Sequence, residues 1–387
     1  MTRALMASRL QGFGSTVFAE MSALAARTQA INLGQGFPDI DGPVEIIDAA
    51  VQAMRAGRNQ YAPGPGVPEL RAAVADHQRR FYGLDVDPDS AVLVTTGATE
   101  AVAAALLALV DPGDEVIALE PYYDSYAACI AMVGGVRRPV TLRAPEFRLD
   151  PEALRAAVTR RTKVLLINTP HNPTGTVLDD GELQAVVDVA CEHDLLVITD
   201  EVYEHLTFDG IRHRPLATYD GMRDRTLTIS SAGKTFSFTG WKVGWAVGPA
   251  HLIRAVMTAK QFLTFTSGAP LQPAIAHALG LDDGYFVRLA AELQAKRDRL
   301  CAGLRDVGFA VFVPQGTYFV TTDIRPLGYA DGVEFCLSLP KLCGVVAIPH
   351  QVFYDDLEAG KPLVRWAFCK RDDVLDEAVQ RLGKLRS

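Results

Sequence analysis

Between about residues 90 and 250, short apolar runs alternate with longer segments of mixed polarity. The runs are AVLVTTG (91–97), EVIALE (115–120), KVLLINT (163–169), LLVITDE (195–201), TLTISS (226–231) and VGWAVG (243–248). Several are apolar at nearly every position, as a strand covered on both faces must be. Between them, TEAVAAALLALV and DDGELQAVVDVACEHD have helical spacing. The alternation predicts an α/β fold with a mostly parallel sheet flanked by helices. Ligands of such sheets sit at the carboxyl ends of the strands. The residues that stop each run are therefore the chemical candidates.

The pattern changes over the last hundred residues. GYFVRLAAELQAKRDRLCAGLRDVG predicts one long amphipathic helix, with Leu289, Leu293, Leu300 and Leu304 on its apolar stripe. Short strand-like runs follow (FAVFVP, GTYFVTTD, VVAIP, LVRWAF), then a final helix from about Asp372. This predicts a smaller α+β domain over 286–387 after a large domain over 43–285, with residues 1–42 as an arm joined to the small domain. NLGQGFPDIDGP and NQYAPGPG, rich in Gly and Pro, predict extended chain and loops.

A chain of 387 residues is too long for one simple core. Its net charge of −8, without basic runs, gives no electrostatic reason to bind nucleic acid or an anionic membrane. AVAAALLALV (101–110) is too short to span a bilayer, and MTRALMASRLQGFG lacks the apolar core of a secretory signal. The six cysteines form no C-x-x-C pair, which predicts reduced thiols in a cytoplasmic protein. The eight histidines form no H-E-x-x-H or Cys/His cluster, so no metal site is expected. His205 reads as structural, and His350, in AIPHQVFYD, as a neighbour of the site mouth.

The run TLTISS leads into SAGKTFSFTGWKVGW (231–245), which places Lys234 and Lys242 among Ser, Thr, Gly and aromatic residues. Gly233-Lys234-Thr235 ends like a P-loop, but that pattern needs a glycine at position 228, which is Thr. TTGATEA has one glycine where a dinucleotide fingerprint needs three. A lysine at a strand end among small and apolar residues is poorly solvated, and desolvation lowers its pKa. It can then attack an aldehyde. Pyridoxal phosphate (PLP) is the common biological aldehyde held that way. It needs an acid opposite its pyridine nitrogen, a seat for its phosphate and a flat group over its ring.

Each part has a candidate and a plainer explanation. LLVITDEVYEHL ends an apolar strand with Asp200 and continues to Tyr203. A carboxylate there keeps the ring nitrogen protonated, and the phenol steadies the ring's O3′; alone, Asp200 is explained as well by a helix cap. VLVTTGATEA is strand, glycine, helix, so the amides of Ala98 and Thr99 face a positive dipole end, though by itself it is an ordinary helix start. Ser231 adds a hydroxyl and Lys242 a point charge. NTPHNPTG, which contains His171, offers Asn172 to O3′ and Asn168 as a buttress, unless it is only an Asn-Pro turn. EPYYDSY supplies Tyr123 as a ring over the pyridine. LVRWAFCK buries Arg365 in a strand, and a buried arginine requires an anion. Either an internal acid or a substrate's α-carboxylate, gripped bidentately, would serve.

Together, SAGKTFSFTGWKVGW, NTPHNPTG, DEVYE, NLGQGFPD, NQYAPGPG and VRWAFCKRDD resemble the class I/II aminotransferases of PLP fold type I. Within these, the branch of kynurenine/glutamine transaminases and N-succinyldiaminopimelate aminotransferases is most similar. The resemblance runs from about residue 15 to the C-terminus. It implies a homodimer with shared active sites, acting on amino acids and 2-oxo acids. Carried over by motif, it implies Lys234 as the lysine bonded to the cofactor, Asp200 at the pyridine nitrogen, Tyr203 and Asn172 at O3′, and Tyr123 over the ring. Ala98, Thr99, Ser231 and Lys242 surround the phosphate, which Tyr61 reaches from the partner subunit. Gly36, Asn172 and Arg365 bind the substrate. Many relatives carry arginine where this chain has Lys242, which keeps the charge but loses the fork. The implied kinetics are ping-pong through pyridoxamine phosphate, with the freed Lys234 amine moving the proton and 2-oxoglutarate as the expected acceptor.

Relatives that prefer aromatic or glutamine-type donors tend to carry bulky Phe-His-like residues before an xPxQ turn. Here Ser267-Gly268 precede APLQPA. This widens the pocket for a longer, more polar side chain, and with GTYFVTTDIRPLGYADGVEF and FCKRDDVLDEA the chain resembles the N-succinyldiaminopimelate enzymes, which implies N-succinyl-LL-2,6-diaminopimelate as donor and lysine biosynthesis. The alternatives are kynurenine, glutamine or methionine transamination, β-elimination from cysteine conjugates, and a non-enzymatic PLP-binding regulator acting by protein contact.

Overall fold

The computed structural model describes residues 6–14 and 16–386. The apolar runs pair into one seven-stranded sheet, ordered Val92–Thr95, Gly244–Val247, Thr226–Ser231, Leu196–Asp200, Thr162–Asn168, Glu115–Glu120, Val136–Thr141. Only Gly244–Val247 runs antiparallel to its neighbours. Helices Gly97–Leu109, Asp124–Met132 and Ala250–Lys260 pack on one face, and Pro151–Ala157 and Asp180–Glu192 on the other. This double cover explains why Glu115–Glu120 and Thr226–Ser231 are buried at every position. A third cluster, with helices Val44–Arg55, Pro68–Tyr82 and Leu271–Leu279, closes the Val92–Thr95 edge.

The strand Val136–Thr141 has no apolar run in the sequence. It reads VRRPVT, and it lies at the opposite edge, where arginine and proline blunt pairing with other chains. Its Arg138 donates to the buried Glu115 carboxylate at 2.8 Å.

The antiparallel strand has a consequence for the site. The parallel strands end at one edge, and Gly244–Val247 begins there, so Lys242 arrives among their carboxyl ends. Gly244 sits opposite Thr95 on one side and Ser231 on the other. A Cβ on Gly244 would lie 2.6 Å from the Gly97 carbonyl carbon, so only glycine lets this strand and the helix start approach so closely.

A second sheet, antiparallel throughout, is ordered Ile348–Pro349, Leu363–Ala367, Phe319–Asp323, Ala310–Phe312. The long helix spans Asp283–Val307, and Leu293, Leu300 and Leu304 enter the core of this second sheet with Leu289 at its margin. The final helix is Asp372–Leu382. The N-terminal chain belongs to the same core: helix Val17–Thr28 contributes Met21 and Ala25, and Ile31–Asn32 pairs in parallel with Val345–Val346. That pairing delivers residues 33–37 to the mouth of the site. Among the described residues no helix is long and apolar enough to cross a membrane.

Candidate active site

One cavity of about 340 Å³ collects the strand ends and the edge of the second sheet. Gly36, Ala98, Thr99, Tyr123, Asn172, Asp200, Tyr203, Ser231, Lys234, Lys242 and Arg365 all line it. Tyr61 does not. It is 84 % exposed, with its ring edge-on to Phe265 at 5.4 Å.

Lys234 sits on the short helix Ala232–Thr235 that directly follows the strand Thr226–Ser231. Its Nζ donates to the Tyr318 hydroxyl at 2.9 Å and lies between the rings of Tyr203 and Tyr318, 5.7 and 5.5 Å from their centroids. Its accessible surface opens to the cavity rather than to bulk water. Burial lowers the lysine to about 8, with Arg365 and Lys242 pushing the same way and Cys369 and Asp200 opposing.

Asp200 ends the strand Leu196–Asp200 and is buried. Burial raises its carboxyl above the ordinary value, while the Tyr126 hydroxyl at 2.6 Å, the Val202 N–H at 3.3 Å and the charge of Lys234 favour the anion. A cation facing it from the cavity would complete its ionisation. Asn168, on the adjacent strand, donates to the Asp200 carbonyl at 2.8 Å and accepts from the Asn172 N–H at 2.7 Å. The Asn-Pro turn is thereby fixed to the acid's strand. Tyr123 lines the cavity as the N-cap of Asp124–Met132, its ring edge-on to Tyr126 at 5.7 Å. Burial pushes its phenol up to about 12.

The anion seat is at the start of Gly97–Leu109, whose N-cap Thr96 supplies no capping side chain. Gly97 has φ +73°, and a Cβ there would lie 3.2 Å from Lys242 Nζ, so the ammonium rests directly over the helix start. First-turn amides, the Ser231 hydroxyl and this ammonium form a cradle of hydrogen-bond donors at the cavity wall. Its chemistry fits a phosphate.

Arg365 is 1 % exposed. It donates to Asn172 Oδ1 and to the Gly34 carbonyl, both at 3.0 Å, and stacks on Phe319 at 3.9 Å. Both acceptors are neutral, and the guanidinium Nε has no partner. Burial lowers Arg365 to about 10, with Asp124 among the opposing charges. A buried guanidinium on neutral oxygens is a site of uncompensated charge, suited to a carboxylate. Gly36 can be nothing larger, because a Cβ there would lie 2.3 Å from the Phe319 ring.

The other histidines lie outside the cavity lining. His171 pairs with Thr174 Oγ1 at 2.7 Å, and burial lowers it to about 4. His350 is fully buried against Thr321 Oγ1 at 3.0 Å, away from the expected site mouth because its loop turns into the core. Among the described residues, His77, Glu204 and His205 bring ligand atoms within 4.8 Å of one another, a grouping that linear spacing hides. Each has a partner already. His77 Nε2 faces His205 Nε2 at 2.7 Å, while Glu204 accepts from Tyr82 at 2.6 Å and Ser230 at 2.5 Å.

Sequence reading missed Tyr126, Tyr318 and Phe319. Tyr126 had a signal, since it lies one helical turn beyond Tyr123. Tyr318 and Phe319 sit in an apolar run and look like core.

A depressed lysine, a buried acid and a phosphate cradle at one sheet edge define an enzyme that works through an anionic aldehyde cofactor. The comparisons with known proteins give the family. The chain belongs to aminotransferase class I and II, whose family model matches residues 28–382. It is 55% identical over 389 residues to a Mycobacterium tuberculosis protein named as a probable N-succinyldiaminopimelate aminotransferase, covering 98% of each. A methionine aminotransferase of Escherichia coli strain K12 is 41% identical over 378 residues, again covering 98% of each. The solved N-succinyldiaminopimelate aminotransferase of M. tuberculosis superposes with a TM-score of 0.97 at 56% identity, over 98% of this chain and 100% of that one. The chain is thus a PLP-dependent aminotransferase, acting on amino and 2-oxo acids.

Proposed function

We propose that this aminotransferase moves the amino group of N-succinyl-LL-2,6-diaminopimelate to 2-oxoglutarate, as a step of lysine biosynthesis. The observation that carries the substrate is the 55% identity to the M. tuberculosis relative, against 41% to the methionine aminotransferase at equal coverage. The small Ser267-Gly268 pair is in keeping with a long polar side chain. A donor panel with 2-oxoglutarate tests it. The succinylated donor should exceed methionine and kynurenine in kcat/KM by at least about tenfold, the equivalent of about 1.4 kcal/mol, or one net hydrogen bond. Faster turnover of methionine or kynurenine overturns the assignment.

The site supports these roles. Bound PLP supplies an electron sink for the charge that develops at the substrate's Cα. Asp200, held by Tyr126, provides the negative charge that keeps the pyridine nitrogen protonated. Tyr203 and Asn172 would hold the cofactor's O3′, and Tyr123 would cover its ring; all three line the cavity. Ala98, Thr99, Ser231 and Lys242 hold the phosphate. Arg365 binds the substrate's α-carboxylate, with Gly36 leaving room beside it. Lys234 would hold the cofactor by its aldehyde, and its amine, lowered to about 8 by burial, is placed to take the proton from the substrate's Cα.

The assembly belongs to the same reading: a homodimer in which Tyr61 of the partner subunit reaches the phosphate. Tyr61 is exposed beside Phe265, itself 48 % exposed, an apolar surface that a second copy would cover. Residues 1–42 and 286–387 act as one small domain against 43–285, which the shared core of Met21, Leu33 and Leu300 supports. The free state of all six cysteines fits a reducing cytoplasmic setting.

A further inference from the structure

We propose that Tyr318 is a positioning residue for the Lys234 amine, and that it ties this amine to the turn at residues 34–36 that Arg365 also holds. The inference rests on the reading of Lys234 given above. The Tyr318 hydroxyl donates to the Gly36 carbonyl at 2.5 Å. A hydroxyl has one proton to give, so toward Lys234 Nζ, at 2.9 Å, it can only accept. Lys234 is therefore held by one of its N–H groups, and the lone pair of the neutral amine is left unengaged. A base needs that arrangement. Tyr318 is 1 % exposed, and burial raises its phenol well above the ordinary value, so it stays neutral and serves as a fixed acceptor.

The turn connects this acceptor to the carboxylate seat. Arg365 donates to the Gly34 carbonyl, and Tyr318 to the Gly36 carbonyl two residues on. Arg365 stands in Leu363–Ala367, and Tyr318 directly precedes the neighbouring antiparallel strand Phe319–Asp323, where Thr321 pairs with Arg365 and Phe319 with Ala367. Phe319 fills the space between them, stacked on the guanidinium at 3.9 Å and closing off any side chain at position 36. A carboxylate arriving at Arg365 has free N–H groups to take, Nε–H among them, and by drawing the guanidinium toward itself it loosens the hold on the Gly34 carbonyl. The displaced turn carries the Gly36 carbonyl with it, and the Tyr318 hydroxyl reorients against Lys234.

Tyr318→Phe removes the hydroxyl and keeps the ring. The first readout is the pH dependence of acylation of Lys234, quantified on its peptide by mass spectrometry, in holoenzyme whose cofactor is in the amine form. An acceptor to N–H favours the ammonium, so the midpoint, near about 8 in the wild type, should fall in the variant. Turnover should drop about tenfold or more while KM for the carboxylate substrates changes less than about twofold. The second readout uses the wild type and the variant with saturating maleate, an unreactive dicarboxylate, which should change Lys234 acylation in the wild type and leave the variant unmoved. An unchanged midpoint and turnover in Tyr318→Phe overturn the positioning role. Acylation of the wild type that ignores maleate, or a response that survives loss of the hydroxyl, overturns the link through the turn. A wild-type protein that fails to transaminate sinks the functional reading instead, and leaves the acylation measurements as they stand.

Discussion

On the side of the seven-stranded sheet, each polar group of the cavity is fixed by the strand end next to it. Asp200 is pinned by Tyr126 and, through Asn168, by the neighbouring strand; Lys242 lies over Gly97 because Gly244 is wedged between Thr95 and Ser231. On the side of the second sheet, Arg365 and Tyr318 rest on carbonyl oxygens of the chain segment 34–36 and on the flat face of Phe319. The first set is held by the strand ends and by side chains anchored on them. The second is held by neutral acceptors with which a carboxylate can compete. One wall of the cavity is thus built to hold a cofactor rigidly, and the other to register the arrival of a substrate. Variants on the first wall should act on turnover and cofactor retention, and a variant of Arg365 on the second on substrate affinity; Tyr318, which reaches across to Lys234, belongs with turnover.

Lys234→Ala makes the largest difference. It removes both the attachment point and the base, and proton transfer alone is worth about 10²–10⁴-fold, so turnover should fall at least about 10⁴-fold with the fold intact by circular dichroism. In the wild type the sign of the pH dependence follows from the lysine being lowered to about 8. Below that pH the amine is protonated and has no lone pair, so the proton-transfer rate should climb as pH rises through about 8 and then level off. A limb at 10.5, the ordinary lysine value, would show that the site does not desolvate this amine. Asp200→Asn comes next. It keeps the shape and the Tyr126 contact but loses the charge, so kcat should drop about 10²–10³-fold, the loss typical of a removed electrostatic partner, with KM for the amino donor nearly constant. A KM effect as large as the kcat effect would break the division between the walls.

The strand ends were legible because a parallel sheet converts a one-dimensional pattern into a three-dimensional one. Each apolar run stops at the same edge, so Thr99, Asn172, Asp200 and Lys234, far apart in sequence, had to be neighbours. Arg365 was legible too, as a charge inside an apolar strand. Tyr318 was not, because a tyrosine in GTYFVTTD has the same appearance whether its hydroxyl meets a lysine or a core water. Its role appears only once the segment 33–37 is known to cross it, which depends on a two-residue parallel pairing, Ile31–Asn32 with Val345–Val346, too short to leave a pattern. The His77–His205 pair was hidden for a related reason: the helix Pro68–Tyr82 and the turn after Asp200 meet through packing, which periodicity does not encode. Val136–Thr141 escaped because edge strands carry the polar residues that strand patterns exclude.

Arg365→Lys probes the second wall. It keeps the charge but gives up the fork and the stacking on Phe319. A hydrogen bond to a charged group is worth about 1.5–3 kcal/mol, so KM for both amino donor and 2-oxo acid should rise about 10–100-fold. Turnover at saturation should change by less than about fivefold, since the groups that act on Cα are on the other wall. A kcat loss as large as the KM change would mean that the carboxylate grip also sets the reacting geometry.

Lys242→Arg should have the smallest effect, and it asks whether the first wall holds its anion by charge or by shape. Arginine brings a fork that matches phosphate bidentately. The position works against using it. Lys242 is in the left-handed region at φ +54°, and its Nζ and Cε already lie close over Gly97, 3.2 Å from where a Cβ there would sit, so a longer planar head would crowd the helix start. The gain from the fork and the crowding oppose each other, and the charge is unchanged. The dissociation constant for PLP, measured by absorbance titration, should stay within about threefold of the wild type, while Lys242→Ala should weaken it about 10–100-fold through the lost charged hydrogen bond. If arginine instead tightens PLP tenfold, the backbone around Gly97 must yield to it. The strand-end wall would then be adaptable like the one opposite, and the contrast between the two would fail on the side where it is drawn most sharply.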